Sequence, residues 1–130
     1  MAARRKAPPE GIRYFEEPQF MLVRMGRQVA TYYGAVGRLD VNKAVVELRK
    51  ASVRVTSHYA ELNAGRVVID LEHASLRADR GLTLKESHVT LTAERATALP
   101  SLARLVFGGK VRIEADTREA ADALLATGAI

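Results

Sequence analysis

The sequence predicts a mainly β protein, with a curled antiparallel sheet of the β-jellyroll, sandwich or rolled-meander kind and a short C-terminal helix. From about residue 19 to residue 115, apolar and polar side chains alternate with a period of two, and Val and Leu are prominent, which is typical of half-buried strands. Aromatic residues make up only 5% and Trp is absent, so the core must be aliphatic. After residue 115 the chain becomes rich in Ala and Leu at four-residue spacing, which indicates a helix.

A chain of 130 residues is long enough for one domain with one modest core. Its 48% hydrophobic and 27% charged residues are typical of a folded globular protein. Residues 1–18 contain the basic run MAARRK and several prolines, and we expect a flexible lead there. Residues 19–130 are predicted to form a single β-rich domain.

Turn residues divide the alternating region into strands. The letters MGR separate alternating runs at residues 20–24 and 28–33, which predicts a hairpin. The letters DVNK at residues 40–43 predict a second turn. The segment after Pro100 fits either a short helix that begins near Ser101 or a loop that leads into a strand at residues 103–107. Residues 110–114 alternate clearly after a Gly-Gly turn.

Three similar units, VELRKASVRVT, IDLEHASLRAD and LTLKESHVTLT, each place a Leu five residues before another apolar residue. In a straight strand, residues five apart face opposite sides of the sheet. Both can face inward only if the backbone bends or turns between them. The units start 23 and then 13 residues apart, so no fixed repeat is predicted. The predicted interior wall, which could also simply fill a closed core, consists of Leu48, Val53, Val55, Leu71, Leu76, Leu84, Val89 and Leu91.

The C-terminal helix is predicted near residues 117–127. Asp116 or Thr117 can cap its first turn, and Gly128 can end it.

Side chains that carry chemistry are few. There is no Cys, which excludes disulfides and thiolate sites. His58, His73 and His88 lie fifteen residues apart, but a metal site is not favoured, because strand-edge positions explain these histidines equally well. Carboxylates that could assist such a site are Glu61, Glu72 and Glu86. Neither a nucleophile motif nor a phosphate-binding loop is present, so we expect neither enzymatic activity nor a cofactor.

The formal net charge is +5, but basic and acidic residues interleave along the strands. A mixed surface of this kind does not favour nucleic-acid binding, although Tyr14, Tyr32 and Tyr33 lie near arginines in the sequence. The sequence contains no run of about 18 apolar residues, so no transmembrane helix is predicted. No apolar export segment follows the basic start.

Three segments resemble the periplasmic lipopolysaccharide-transport family, the OstA-like and LptC-like β-jellyroll proteins. They are AVGRLDVNKAVVELRKASVRV, SHYAELNAGRVVIDLEHASLRADRGLTL and RLVFGGKVRIEADTREAADAL. The resemblance covers roughly residues 20–125. It implies a twisted jellyroll whose interior wall shelters acyl chains or lipopolysaccharide, and whose edge strands stack end to end as a bridge between membranes.

We therefore expect a non-enzymatic protein that shelters lipid or forms a bridge. The alternative is a cytoplasmic structural or assembly protein that self-associates or docks partners through its sheet edges. The protein would be periplasmic if an export signal precedes this sequence, and cytoplasmic otherwise.

Overall fold

The computed structural model describes residues 11–56 and 60–115. These residues form eleven antiparallel strands in one open sheet, which confirms the mainly β prediction. The strands are β1 Ile12–Glu16, β2 Gln19–Arg24, β3 Arg27–Tyr33, β4 Val36–Asp40, β5 Val45–Val55, β6 Ala60–Asp70, β7 Ser75–Glu86, β8 Val89–Ala93, β9 Arg95–Ala98, β10 Val106–Gly108 and β11 Arg112–Ala115. The predicted helix near residues 117–127 and the first ten residues of the predicted lead lie outside the described residues.

The eleven strands combine into seven long strands. β1 and β2 form the first, β3 and β4 the second, β5, β6 and β7 the third to fifth, β8 and β9 the sixth, and β10 and β11 the seventh. Each long strand pairs with the one before it and the one after it, because β4 and β3 pair with the two ends of β5, and β9 and β8 with the two ends of β7. The topology is therefore an up-and-down meander of seven long strands.

Every long strand bends where it crosses the same line, which we call the crease. The crease divides the sheet into two layers. Layer A contains β2, β3, β8, β11, the second halves of β5 and β7 and the first half of β6. Layer B contains β1, β4, β9, β10 and the other halves of the three central strands. Backbone hydrogen bonds continue across the line, as from the Ala35 amide to the Arg49 carbonyl at 2.8 Å.

Left-handed backbone conformations mark the crease on alternate long strands. Lys50 has φ 50° and Arg80 has φ 63°. The other crease residues with positive φ are Glu17, Gly81, Gly109 and Lys110. Gly65 crosses the crease between Lys50 and Arg80, and a Cβ there would lie 2.6 Å from the Arg80 carbonyl oxygen, so the close approach requires glycine.

At the bend, the alternation of buried and exposed residues along a strand shifts by one position. In β5, Leu48 is buried on the layer B side of the bend, and Ala51 and Val53 are buried on the layer A side. The prediction that the backbone bends between Leu48 and Val53 is therefore confirmed. Between Leu71 and Leu76, and between Leu84 and Val89, the chain instead reverses in a hairpin turn.

A repeat of thirty residues, which the sequence analysis did not predict, relates the hairpins of layer B. Asp40 accepts a hydrogen bond from the Lys43 amide at 3.1 Å, and Asp70 accepts one from the His73 amide at 3.0 Å. The final turn residues Ala44 and Ala74 both have positive φ, as do Lys50 and Arg80. The three Leu-based units do not show this period of thirty residues. The first unit spans a bend at the crease, whereas the other two span hairpin turns, so their starting points are not structurally equivalent.

The inner faces of both layers pack into one hydrophobic cluster. Its largest fully buried side chains are Tyr32, Leu48, Leu62, Ile69, Leu76, Val53 and Val67. The Tyr32 ring stacks on Phe20 with 4.9 Å between ring centroids, and its hydroxyl donates to the carbonyl oxygen of buried Pro100. Burial raises the pKa of Tyr32 above its usual range. Because Tyr32 lies in layer A and Pro100 follows β9 of layer B, this bond ties the layers together.

Replacing Tyr32 with Phe is expected to lower the free energy of unfolding by about 1–3 kcal/mol, because the buried Pro100 carbonyl loses its donor. Urea denaturation measures the change. Tyr33→Phe on the outer face is the matched control and should cost less. Equal stability of wild type and Tyr32→Phe would contradict the proposed tie between the layers.

Two boundaries differ from the sequence predictions. β1 begins at Ile12, inside the segment assigned to the flexible lead, because residues 12–16 pair with β4 and Ile12 is buried. Residues 101–105 form turns and bends and lead into β10, so the loop alternative is correct and the short helix is wrong.

Candidate functional site

The structure buries five of the eight predicted wall residues. Leu48, Val53, Val55, Leu76 and Leu84 are at most 8% exposed on the inner faces. Val89 and Leu91 are half-buried on β8, toward one edge of the sheet. Leu71 is 46% exposed, so its assignment to the wall is wrong. It lies in the four-residue turn between Asp70 and Ser75, where the side chain has no neighbouring layer to pack against.

The inner wall also contains residues that the sequence analysis missed. On β6, Leu62 and Val67 are 0% exposed and Ile69 is 1% exposed. The same change of facing occurs on this strand across Gly65 and Arg66. A search for alternation on both sides of each glycine would have found it.

The inner faces fill one another over the central strands. A cleft of about 460 Å³ lies instead at the layer A hairpin tips. It is lined by Arg54, Val55, Ala60, Glu61, Lys85, Ser87 and His88. Five of these seven residues are polar or charged, so the cleft differs in residue type from the aliphatic wall that the sequence predicts.

The two outermost long strands are the strongest candidate for a binding site. The first long strand pairs only with the second, and the seventh only with the sixth, so among the described residues each has one unpaired side. Unpaired strand edges present a row of backbone donors and acceptors to other chains. Large exposed apolar side chains on these two strands are Tyr14, Phe15, Met21, Val23, Val106, Val111 and Ile113.

The apolar interior reaches both edges. One inner row crosses layer A through Phe20, Tyr32, Val53, Leu62, Leu84, Leu91 and Ile113. Its last member, Ile113, is 36% exposed. The matching row of layer B begins at Phe15, which is 45% exposed. The interior is therefore closed in the centre and opens to solvent at the two ends of the sheet.

The two edges carry opposite charges at the crease. Glu16 and Glu17 lie there on the first long strand, and Lys110 and Arg112 lie there on the seventh. All four side chains are exposed. Arg112 also contacts Glu114 on its own strand, with 2.9 Å between Nε and Oε1.

The two described histidines, His73 and His88, lie in hairpin turns of different layers, at opposite ends of β7. His73 belongs to a layer B turn, and its Nδ1 lies 2.8 Å from the Asp70 carboxylate. His88 belongs to a layer A turn, and His58 lies outside the described residues. Within residues 11–56 and 60–115, no three His, Asp or Glu side chains come close enough together to hold a metal ion.

The hydrogen bond to Asp70 raises the pKa of His73, and hydrogen bonds from His73 lower the pKa of Asp70. Because the folded-state pKa of His73 is raised and that of Asp70 is lowered, the pair contributes its full stability between the pKa of an unfolded aspartate and that of an unfolded histidine, and loses it as the pH falls through the folded-state pKa of Asp70. That contribution is also lost as the pH rises through the folded-state pKa of His73. NMR titration of the Asp70→Asn variant should show the His73 pKa falling toward its ordinary value. Asp40→Asn, in the equivalent turn, should leave it unchanged, and an unchanged His73 pKa in Asp70→Asn would contradict the pairing.

In the part of the chain that the structure describes, no helix has the length and hydrophobicity needed to cross a membrane. A scan against protein-family models finds no match for this chain, and a search of curated proteins also finds none.

Proposed function

We propose that this protein is a non-enzymatic assembly protein whose copies join edge to edge, the seventh long strand of one copy beside the first long strand of the next. The observation that carries the proposal is that backbone edges, apolar rows and complementary charges coincide on these two strands. A head-to-tail junction of this kind leaves one free edge at each end of the assembly, and it builds a filament or bridge when the rotation between copies does not close a ring.

The described residues form seven long strands, and this odd number determines the direction of pairing at the proposed junction. In a meander of seven, the first and the seventh long strands both run from layer B to layer A. If layer A continues into layer A of the next copy, the two strands at the junction are parallel. A parallel pair forms evenly spaced backbone hydrogen bonds and can extend a sheet.

Charge favours this junction over a symmetric one. With the crease continuous, Glu17 of one copy approaches Lys110 of the preceding copy, which is an attraction between opposite charges. A two-fold junction between two first long strands would instead bring Glu16 and Glu17 near the same residues of the partner. Like charges placed opposite each other across paired strands are destabilising.

Apolar packing supports the same arrangement. Continuing the rows of the sheet places Phe15 of one copy beside Phe107 of the other, and Phe20 beside Ile113. Both exposed ends of the interior would then be covered by aliphatic or aromatic side chains.

Sedimentation velocity over a concentration series tests the proposal. Wild-type protein should form species that grow with concentration, without stopping at a dimer. A strict monomer at every concentration would overturn the proposal, and a dimer that grows no further would favour the symmetric junction instead.

Sheltering of acyl chains, which the resemblance to the lipopolysaccharide-transport family implies, is a second candidate. It is supported by the exposed inner-row side chains Phe15 and Ile113, since an acyl chain could reach the interior at these edges. A fluorescent fatty acid should then gain intensity on addition of the protein, and Leu91→Lys should reduce the gain. No gain at any protein concentration would exclude acyl binding and leave edge assembly standing.

A further inference from the structure

The convex side of the crease carries a line of cations that extends from the central strands to the seventh long strand. The concave side is filled by Ala51, Ala64, Leu82 and Ala93 of the core. Exposed side chains at the crease therefore lie on the convex side. From the third to the seventh long strand, the crease and its flanking outer rows carry seven cations, Arg49, Lys50, Arg66, Arg80, Arg95, Lys110 and Arg112, which we call the crease ridge.

Acidic residues neutralise only part of the crease ridge. Arg66 forms a two-pronged ion pair with Asp79, with contacts of 2.9 and 2.5 Å. This hydrogen bonding lowers the pKa of Asp79. Among the described residues, no carboxylate lies within 4.0 Å of the charged groups of Lys50, Arg80, Arg95 or Lys110. Glu94 is exposed at the same line on the sixth long strand, so these four cations leave an excess of positive charge on a ridge that also carries a carboxylate.

The shape of the crease ridge favours a flat anionic partner. Lys50, Arg80 and Lys110 lie on every second long strand, so they are spaced about 10 Å apart along a line of about 20 Å. The line runs along a convex fold and not along a groove. The exposed aromatic residues Tyr14 and Phe15 lie on the first long strand, off the crease ridge, so the ridge offers no aromatic platform for stacked bases. A single nucleic-acid strand would therefore be held on one side only, whereas a membrane surface presents many phosphates in one plane.

Three cations of the crease ridge have a backbone conformation that is unfavourable for lysine and arginine. Lys50, Arg80 and Lys110 all have positive φ, which costs a non-glycine residue about 1–2 kcal/mol relative to a right-handed conformation. Glycine or asparagine would fit such positions with less strain. Of the four non-glycine crease residues with positive φ, three are cations of the crease ridge, and the fourth, Glu17, lies on the first long strand outside it.

We propose that the crease ridge binds the surface of an anionic lipid membrane through its phosphate groups. Lys110 is shared with the proposed junction, whereas Lys50 and Arg80 lie on central strands away from both edges. Vesicle binding is therefore measured at protein concentrations where the wild type is monomeric, so that it is separated from edge assembly. If copies do join edge to edge, the ridges align, and the attachment becomes multivalent.

The test uses vesicles of phosphatidylglycerol and phosphatidylcholine, with pure phosphatidylcholine vesicles as the uncharged comparison. The ridge variant is Lys50→Gly, Arg80→Gly and Lys110→Gly, which removes three charges at positions where glycine relieves strain. The control variant is Arg24→Gln, Lys43→Gln and Lys85→Gln, which removes three exposed cations away from the crease ridge. Residues 1–10 are unchanged in both variants.

Wild-type protein should bind the anionic vesicles, and binding should weaken as salt is raised. Each cation near an anionic membrane surface adds a similar amount to the binding free energy. The ridge variant lacks three such cations, so it should bind on the order of 100-fold more weakly. The control variant should lose much less, and the urea midpoint of the ridge variant should show that it is folded.

Three results would overturn the proposal. Equal losses in the two variants would mean that net charge alone drives binding. Retained binding by the ridge variant would mean that another surface is responsible. Binding of a single-stranded oligonucleotide without binding of anionic vesicles would identify the partner as nucleic acid.

Discussion

Replacing Ile113 with Lys is expected to hold the protein as a monomer at concentrations where the wild type self-associates. Ile113 ends the inner row of layer A, and the proposed junction covers it with Phe20 of the next copy. A lysine there would have to bury its charge without a partner, and burial of an unpaired charge costs several kcal/mol. Self-association should weaken at least about 100-fold, because 1.4 kcal/mol corresponds to a factor of ten.

The matched control is Leu71→Lys. Leu71 is also an exposed aliphatic residue, but it lies in a layer B hairpin turn, away from both edges. The control introduces the same charge and should self-associate like the wild type. Sedimentation velocity of the three proteins at matched concentrations distinguishes the cases. An assembling Ile113→Lys protein would show that the seventh long strand is not at the junction.

Replacing Leu76 with Ala is expected to lower the free energy of unfolding by about 3 kcal/mol. Leu76 is 0% exposed at the centre of the shared core, and truncation there leaves a cavity that the neighbouring strands cannot fill. Leu71→Ala should change stability by about 0.5 kcal/mol or less, since the side chain is already exposed. The sequence pattern treats these two leucines alike, so the comparison isolates the effect of tertiary burial.

Urea denaturation of both variants provides the measurement, with the midpoint and the slope compared to those of the wild type. Similar losses for Leu71→Ala and Leu76→Ala would contradict the turn between Asp70 and Ser75. Such a result would mean that the side chains of Leu71 and Leu76 are both buried in the core.

Of the candidate edges, residues 20–24 and 110–114 were recognised as strand-forming, whereas residues 12–16 were assigned to the flexible lead. None of them could be recognised as an edge. Residues 110–114 alternate as clearly as any central segment, yet β11 is exposed along its whole length. Alternation reports which side chains can share a face. It does not report whether a neighbouring strand lies on one side or on both, because pairing joins residues that are distant in the chain.

The complementary charges of the two edges could not be predicted from the sequence either. Glu17 and Lys110 are ninety-three residues apart, and only the crease places them at equivalent positions on the outermost strands. Their complementarity depends on a topology with an odd number of long strands.

The sequence by itself determined the β structure, the mostly aliphatic interior, the first two hairpin turns and the bend between Leu48 and Val53, whereas the buried Tyr32 and its stacking on Phe20 were not predicted. The predicted features depend on local alternation and turn chemistry, which each segment carries within its own residues. Only the tertiary structure decided the common crease, the exposure of Leu71 and the identity of the two edges. Each of these depends on how distant strands pair and how the two layers face each other, and no single segment encodes that information.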